Sequence, residues 1–147
     1  MKPSHYNNIG IGVLALVAVL NHSRELSVSK LCLVFPLLSH QELLRHLSRK
    51  TTQIKSIEKL IVEKTTCFAN FNKRYYDSLC LTLNAIQYLN DAGYVIVERN
   101  HVTLLNPLLY DRRMGKRAEK VFRASENVAL LLQERSDKLY LNFRVEL

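Results

Sequence analysis

The chain has 147 residues, of which 48% are hydrophobic and 23% are charged. These proportions are those of an ordinary folded protein and exclude a disordered chain. Because 21 Lys and Arg residues outnumber 13 Asp and Glu residues, the formal charge is +8, which favours an acidic partner such as nucleic acid, an acidic protein surface or an anionic membrane.

The first predicted element is an apolar helix over residues 9–22. The uncharged stretch from Ile9 to Leu20 is only twelve residues long, whereas a membrane span needs about 20. We therefore predict a core helix in a cytoplasmic protein that has no membrane contact. Since a small domain has little interior to surround such a helix, part of its surface is expected to dock a partner protein. The predicted docking side chains on this helix are Ile9, Ile11, Leu14, Leu16, Val17 and Leu20.

Several short elements follow the apolar helix. Residues 26–29 are typical of a short strand or a capped turn, and Pro36 is expected to kink or start a helix. Residues 39–47 are then interpreted as the first helix of a winged-helix unit. Residues 51–65 predict a surface helix, with apolar side chains on one face and charged side chains opposite.

The most informative segment runs from Tyr75 to Leu105. Up to Asp91, leucine and isoleucine recur at steps of three and four residues, which predicts one buried helical face, and Gly93 can adopt the left-handed conformation that ends a helix. Apolar residues then alternate with polar ones on both sides of residues 99–101, which predicts a β-hairpin. This order is that of the third helix and wing of a winged-helix unit. We therefore predict an α+β fold that is mostly helical and winged-helix-like, with a β-hairpin wing.

The densest positive segment lies between Asp111 and Arg123, and it predicts a helix with a basic face. Such a face can be simply solvated, or it can contact the DNA backbone or an acidic partner. The candidate contact residues are Arg112, Arg113, Lys116, Arg117, Lys120 and Arg123, together with Arg99 of the hairpin.

The C-terminal residues 138–147 alternate polar and apolar, which predicts a strand. Such a strand would complete a small sheet in this chain or add to the sheet of another subunit, with Tyr140 and Phe143 as docking side chains. We predict a single domain over residues 1–147. It would comprise a helical, winged-helix-like core over 7–105, followed over 106–147 by the basic helix and the terminal strand.

Motifs that carry chemistry are missing from the sequence. The four glycines fit no phosphate-binding loop, and the histidines stand apart from any set of carboxylates. The three cysteines form no Cys-x-x-Cys pair and are expected to be reduced, buried thiols. We therefore predict that the protein is not an enzyme and has no cofactor or metal site.

Three short motifs carry a family resemblance. They are the opening Asn7–Gly12, Pro36–His40, and the Phe-x-x-Arg step Phe71–Arg74, which leads into the long helix and the hairpin. Over residues 7–105 the chain resembles the small middle component of bacterial three-component ABC ATPase systems, a group that includes the small subunit of Lamassu-type defence. Ser39 departs from the pattern, since an aliphatic residue is more usual before the histidine.

The resemblance implies a non-catalytic adaptor between a coiled-coil ABC ATPase of the SMC or Rad50 type and an effector, often a nuclease, that acts against phage or plasmids. Double-stranded DNA is a further candidate partner. The alternative is a free-standing winged-helix transcription regulator whose long helix enters the major groove. Because residues 77–91 contain no Lys or Arg, this helix favours protein docking over DNA reading.

Overall fold

The computed structural model describes the backbone of residues 3–147 and the side chains of residues 10–147. Short 3-10 turns lie at Thr65–Phe68 and Arg112–Met114. The other elements, in chain order, are α1 Pro3–Ser23, β1 Glu25–Ser27, α2 Val28–Leu31, α3 Val34–Leu38, α4 Gln41–Ser48, α5 Ile57–Glu63, α6 Phe71–Asp91, β2 Val95–Glu98, β3 His101–Leu104, α7 Lys116–Leu131 and α8 Ser136–Phe143.

The strands form a small antiparallel sheet in the order β1-β3-β2, in which Leu26 and Val97 both lie opposite Val102. The predicted α+β, winged-helix-like fold is therefore confirmed, with α6 as the long helix and β2-β3 as the wing. Because β1 follows α1 directly and pairs with β3, α1 is the first helix of this unit. The assignment of that role to residues 39–47 is wrong, although these residues do form a helix, α4.

The wing is a tight hairpin whose turn is set by two residues. Arg99 and Asn100 have φ angles of 50° and 65°, and two successive positive φ angles match the twist of the flanking strands. The Asn100 carbonyl accepts a hydrogen bond of 2.8 Å from the Val28 amide, which fixes the turn beside α2. Gly93, at φ 81°, ends α6 as predicted.

The core is built around α1. Every side chain from Ala15 to Leu20 is at most 1% exposed, because α1 packs along α6 and along α7 and also contacts α3 and the sheet. The chain therefore covers most of this apolar helix by itself. α7 lies at the centre of the packing, where it contacts α1, α3 and α4.

Two predicted elements differ from the structure. Residues 51–65 are helical only from Ile57, because the Ser56 side chain accepts a hydrogen bond of 3.1 Å from the Lys59 amide and starts α5 there. The predicted C-terminal strand is wrong, since residues 136–143 form α8. In a segment this short, alternation does not exclude a helix, and Leu139 and Phe143 are four residues apart and so share a helical face.

α8 closes the core from the C-terminal side. The Phe143 ring stacks on Phe71, with ring centroids 4.5 Å apart, and on Phe68, with centroids 5.6 Å apart. Leu139 and Phe143 are buried, whereas Leu141, two residues away on the helix, is 78% exposed. Phe71 and Tyr75 are buried in the core and Phe68 is partly buried against it, whereas Tyr76 is 45% exposed.

We expect Phe143→Ala to lower the free energy of unfolding by about 3–5 kcal/mol, because it removes a buried ring and leaves a cavity. Leu141→Ala is the matched control on the same helix and should change it by less than about 0.5 kcal/mol. Urea unfolding followed by circular dichroism measures both. If residues 138–147 formed a solvated strand instead of α8, the two variants would cost similar amounts.

Candidate interaction surfaces

A half-buried arginine joins two motifs that are far apart in sequence. Arg74 Nε donates a hydrogen bond of 3.1 Å to the Pro36 carbonyl oxygen, and Arg74 Nη2 donates one of 2.9 Å to the Cys67 carbonyl oxygen. The guanidinium carbon also lies 5.4 Å from the centroid of the Phe71 ring. The carbonyl groups in the last turn of a helix have no hydrogen-bond partner within the helix. Pro36 lies in the last turn of α3, and Arg74 supplies the donor for its carbonyl oxygen. The Phe-x-x-Arg step is thus a structural clamp on the Pro36–His40 segment.

His40 caps the next helix. Its Nδ1 accepts a hydrogen bond of 3.2 Å from the Leu43 amide and so satisfies a free amide in the first turn of α4. Burial, and secondly the Arg74 charge, lower the pKa of His40 below its ordinary value of 6.5, while Glu42 opposes them. The neutral ring is therefore the form that the fold favours, because a protonated Nδ1 cannot accept the bond.

The three cysteines have two different environments. Cys32 and Cys67 are buried, as expected, and burial raises the pKa of the Cys32 thiol to about 11, so this group is a poor nucleophile. Cys80 is exposed on α6, contrary to the expectation of a buried thiol.

Within residues 10–147, no three His, Cys, Asp or Glu side chains are grouped closely enough to hold a metal ion.

The basic segment is not one continuous helix. Gly115 has a φ of 94° and separates the 3-10 turn Arg112–Met114 from α7, so Arg113 does not share a helical face with Lys116. Arg113 instead pairs with Asp111, with its Nη2 3.0 Å from Asp111 Oδ2. Arg123 pairs with Glu119 on α7.

The exposed cations of α7 lie beside cations of another segment. Lys116, Arg117 and Lys120 line a shallow groove with Arg45 of α4. Further along α7, Arg123 lines a second groove with cations of residues 48–55. We call this surface the cationic seam; its members are Arg45, Arg49, Lys50, Lys55, Lys116, Arg117, Lys120 and Arg123.

Arg99 does not belong to the cationic seam. Its hairpin turn lies beside α2, and Lys30 of α2 donates a hydrogen bond of 2.6 Å to the Leu132 carbonyl at the far end of α7. The distance from Lys116 to Leu132 along α7 is about 24 Å at 1.5 Å per residue. Arg99 is therefore on the side of the C-terminal end of α7, whereas the predicted contact residues from Lys116 to Arg123 lie in the first half of that helix.

Further exposed apolar side chains lie on α6 and in the hairpin region. We refer to Leu83, Tyr88, Ile96, Val97 and Leu105 collectively as the apolar face. Leu83 and Tyr88 lie about 140° apart around α6, and the neighbouring strand residues Ile96 and Val97 point to opposite sides of the sheet. Leu83 is 47% exposed and Tyr88 is 56% exposed. In a winged-helix protein this is the region that would approach DNA, but between Asp77 and Asp91 it presents no cation.

The predicted docking residues differ in how far they are buried. Leu16, Val17, Leu20 and Phe143 are buried in the chain's own core and offer no surface to a partner. Ile11 and Leu14 are partly exposed on α1, and the side chain of Ile9 lies outside the described residues. Tyr140 is half-buried, and its hydroxyl donates a hydrogen bond of 2.6 Å to the Ser29 carbonyl and lies 3.1 Å from the Tyr75 hydroxyl.

The fold and these surfaces define the class of protein as a small, winged-helix-like α+β protein with separate apolar and cationic surfaces. Among the described residues, no helix is both long enough and apolar enough to cross a membrane. The family profile described as ABC-three component (ABC-3C) system Middle Component 3 (MC3) matches residues 18–147. The chain therefore belongs to this family of middle components. No curated protein and no solved structure matches the chain significantly.

We expect Arg74→Ala to lower the free energy of unfolding by about 2–4 kcal/mol, because it leaves the Pro36 and Cys67 carbonyls without their charged donor. Arg74→Lys should recover part of this loss, since an ammonium group can reach one carbonyl but lacks the fork of a guanidinium. Urea unfolding of the three proteins measures the effect. Equal stability of Arg74→Ala and the natural chain would contradict the clamp.

The His40 cap predicts a pH dependence. Because its pKa is lowered in the fold, the stabilisation is fully present above about pH 6.5 and is lost as the pH falls through the folded-state pKa. His40→Asn keeps a capping side chain without a titrating ring. When the pH is lowered from about 7.5 to about 5, the urea concentration at the midpoint of unfolding should therefore fall less for His40→Asn than for the natural chain. His46, whose pKa is also lowered by burial and by Lys64, is present in both proteins and cancels in the comparison. Identical pH profiles would contradict the cap.

Proposed function

We propose that this chain is a non-catalytic adaptor that joins an SMC-like or Rad50-like ABC ATPase to an effector nuclease, in a bacterial complex of the Lamassu type that defends against phage or plasmids. Membership of the ABC-3C middle component family supports a place between other components of such a system. At the Pro36–His40 and Phe71–Arg74 motifs the polar side chains have structural roles. Arg74 and His40 both form hydrogen bonds with the backbone of the chain itself.

The observation that carries the proposal is the chemistry of α6. A DNA-reading helix needs cations for the phosphates around its target, but from Asp77 to Asp91 the exposed side chains of α6 are apolar, uncharged polar or acidic, and Leu83 and Tyr88 are among them. Exposed apolar and aromatic side chains are instead the anchors of protein interfaces. We therefore assign the apolar face to the ABC ATPase or the effector.

The sheet edge supports the same assignment. β2 is an outer strand of the sheet, and among the described residues it pairs only with β3. Ile96 and Val97 on this strand are partly exposed. An extended segment of a partner can therefore add to β2 through backbone hydrogen bonds.

We expect the double variant Leu83→Asp, Tyr88→Asp to reduce recovery of the partners at least about tenfold, because buried anchors contribute about 2 kcal/mol or more each. The measurement is an affinity pull-down from the native cell, washed at moderately high salt, with quantitative mass spectrometry. The matched control is Val62→Asp, Leu141→Asp, which places the same charges on two apolar side chains that are 76% and 78% exposed on α5 and α8.

Recovery of a long coiled-coil ATPase with the natural chain and with the control, and its loss with the double variant, is the expected result. Recovery of the chain alone, together with retention of one particular duplex sequence, would replace the adaptor with a free-standing transcription regulator. Equal recovery with all three proteins would move the interface away from the apolar face.

A further inference from the structure

We propose that the cationic seam binds the sugar-phosphate backbone of duplex DNA without reading its sequence. This assignment goes beyond the adaptor function, since it concerns a different surface. α1 packs along both α6 and α7, and the cationic seam lies on the α7 flank while the apolar face lies on the α6 flank. A protein partner and DNA can therefore be bound at the same time.

The seam contains eight of the 21 Lys and Arg residues of the chain. Its eight cations stand beside only two carboxylates of α7, Glu119 and Glu126, in a chain whose formal charge is +8. Arg123 pairs with Glu119, and the other seven cations form no ion pair with a described residue. Repulsion among these cations is relieved when an anion binds, so the seam is suited to a polyanion.

The seam is held in place by the core. α4 packs against α7, and Asn127 Nδ2 of α7 donates a hydrogen bond of 2.8 Å to the Leu47 carbonyl oxygen near the end of α4. The backbone positions of Arg45 and of Lys116–Lys120 are thus fixed relative to each other. Only the flexible ends of the side chains have to be ordered when the ligand binds.

The dimensions of the seam fit a duplex. On α7 its cations run from Lys116 to Arg123, a length of about 10 Å at 1.5 Å per residue. Phosphates are spaced at about 3.4 Å along the axis on each strand of B-DNA, so about three phosphates of one strand span this length. Alternating cations on α7 and on residues 45–55 can contact phosphates on both sides of a groove.

The side-chain types favour duplex DNA over the alternatives. Leu130 is the exposed large apolar side chain that lines the second groove, and neither groove is lined by an aromatic ring. Protein interfaces are depleted of lysine in their centres and depend on buried aromatic or apolar anchors. Single strands are bound by base stacking on aromatic rings, which the seam lacks.

The test is fluorescence anisotropy of the full chain with a labelled mixed-sequence DNA duplex of about 24 base pairs, titrated with salt. The seam variant is Arg45→Glu, Lys116→Glu, Lys120→Glu. The matched control, Lys73→Glu, Arg135→Glu, Arg144→Glu, makes the same change in net charge at exposed positions outside the seam. At about 0.1 M salt we expect the seam variant to bind about 100-fold more weakly and its slope of log K against log salt to be smaller by about 2–3, whereas the control should lose less than about fivefold.

Several outcomes would overturn the proposal. If the natural chain fails to retain the duplex at about 50 mM salt, or if both variants lose affinity equally, the seam is not a DNA site. Tighter binding of double-stranded RNA or of polyglutamate than of DNA would assign it to another polyanion. The adaptor function is tested separately by the pull-down, in which the seam variant should still recover the ABC ATPase from native cells. Circular dichroism checks that each variant is folded.

Discussion

The fold depends on the complete enclosure of one apolar helix. From Ala15 to Leu20, α1 has no exposed side, because α6 and α7 pack along it and α3 and the sheet cover the rest. Removing six consecutive apolar side chains from water is a large favourable term for a chain of this size. It also determines where every other long helix lies, since neither α6 nor α7 can bury its own apolar stripe without α1.

The short segments around α3 and α4 are held by polar contacts as well as by apolar burial. Arg74 reaches across from α6 to the carbonyl oxygens of Pro36 and Cys67, and His40 then starts α4 by accepting an amide proton. A helix of five residues such as α3 has little stability of its own. The clamp therefore fixes the direction in which α4 leaves, and with it the position of Arg45 beside α7.

This arrangement separates two kinds of recognition. The flank of α6 and the hairpin offers apolar side chains and a sheet edge, while the flank of α7 and α4 offers cations on a rigid support. For a middle component of an ABC three-component system, such a division allows contact with another component on one side and with a polyanion on the other. The enclosed helix α1 lies between the two surfaces and keeps them apart.

The sequence by itself determined the features that depend on neighbouring residues. The end of α6 at Gly93, the hairpin at Arg99-Asn100 and the core character of α1 all follow from local spacing and backbone preference, and the lack of Lys and Arg between Asp77 and Asp91 can be read directly. The Leu and Ile periodicity of α6 predicted the helix correctly but placed Leu83 on the buried face, whereas Leu83 is 47% exposed. Only the tertiary structure decided that residues 136–143 are a helix, because their apolar side chains fit either period and the stacking on Phe71 selects one. It also decided that Leu16, Val17 and Leu20 serve the core and not a partner, since burial depends on which helices pack around them. The cationic seam could not be predicted from the basic segment alone, because Arg45 and Lys116 are far apart in sequence and only the packing of α4 on α7 brings them together.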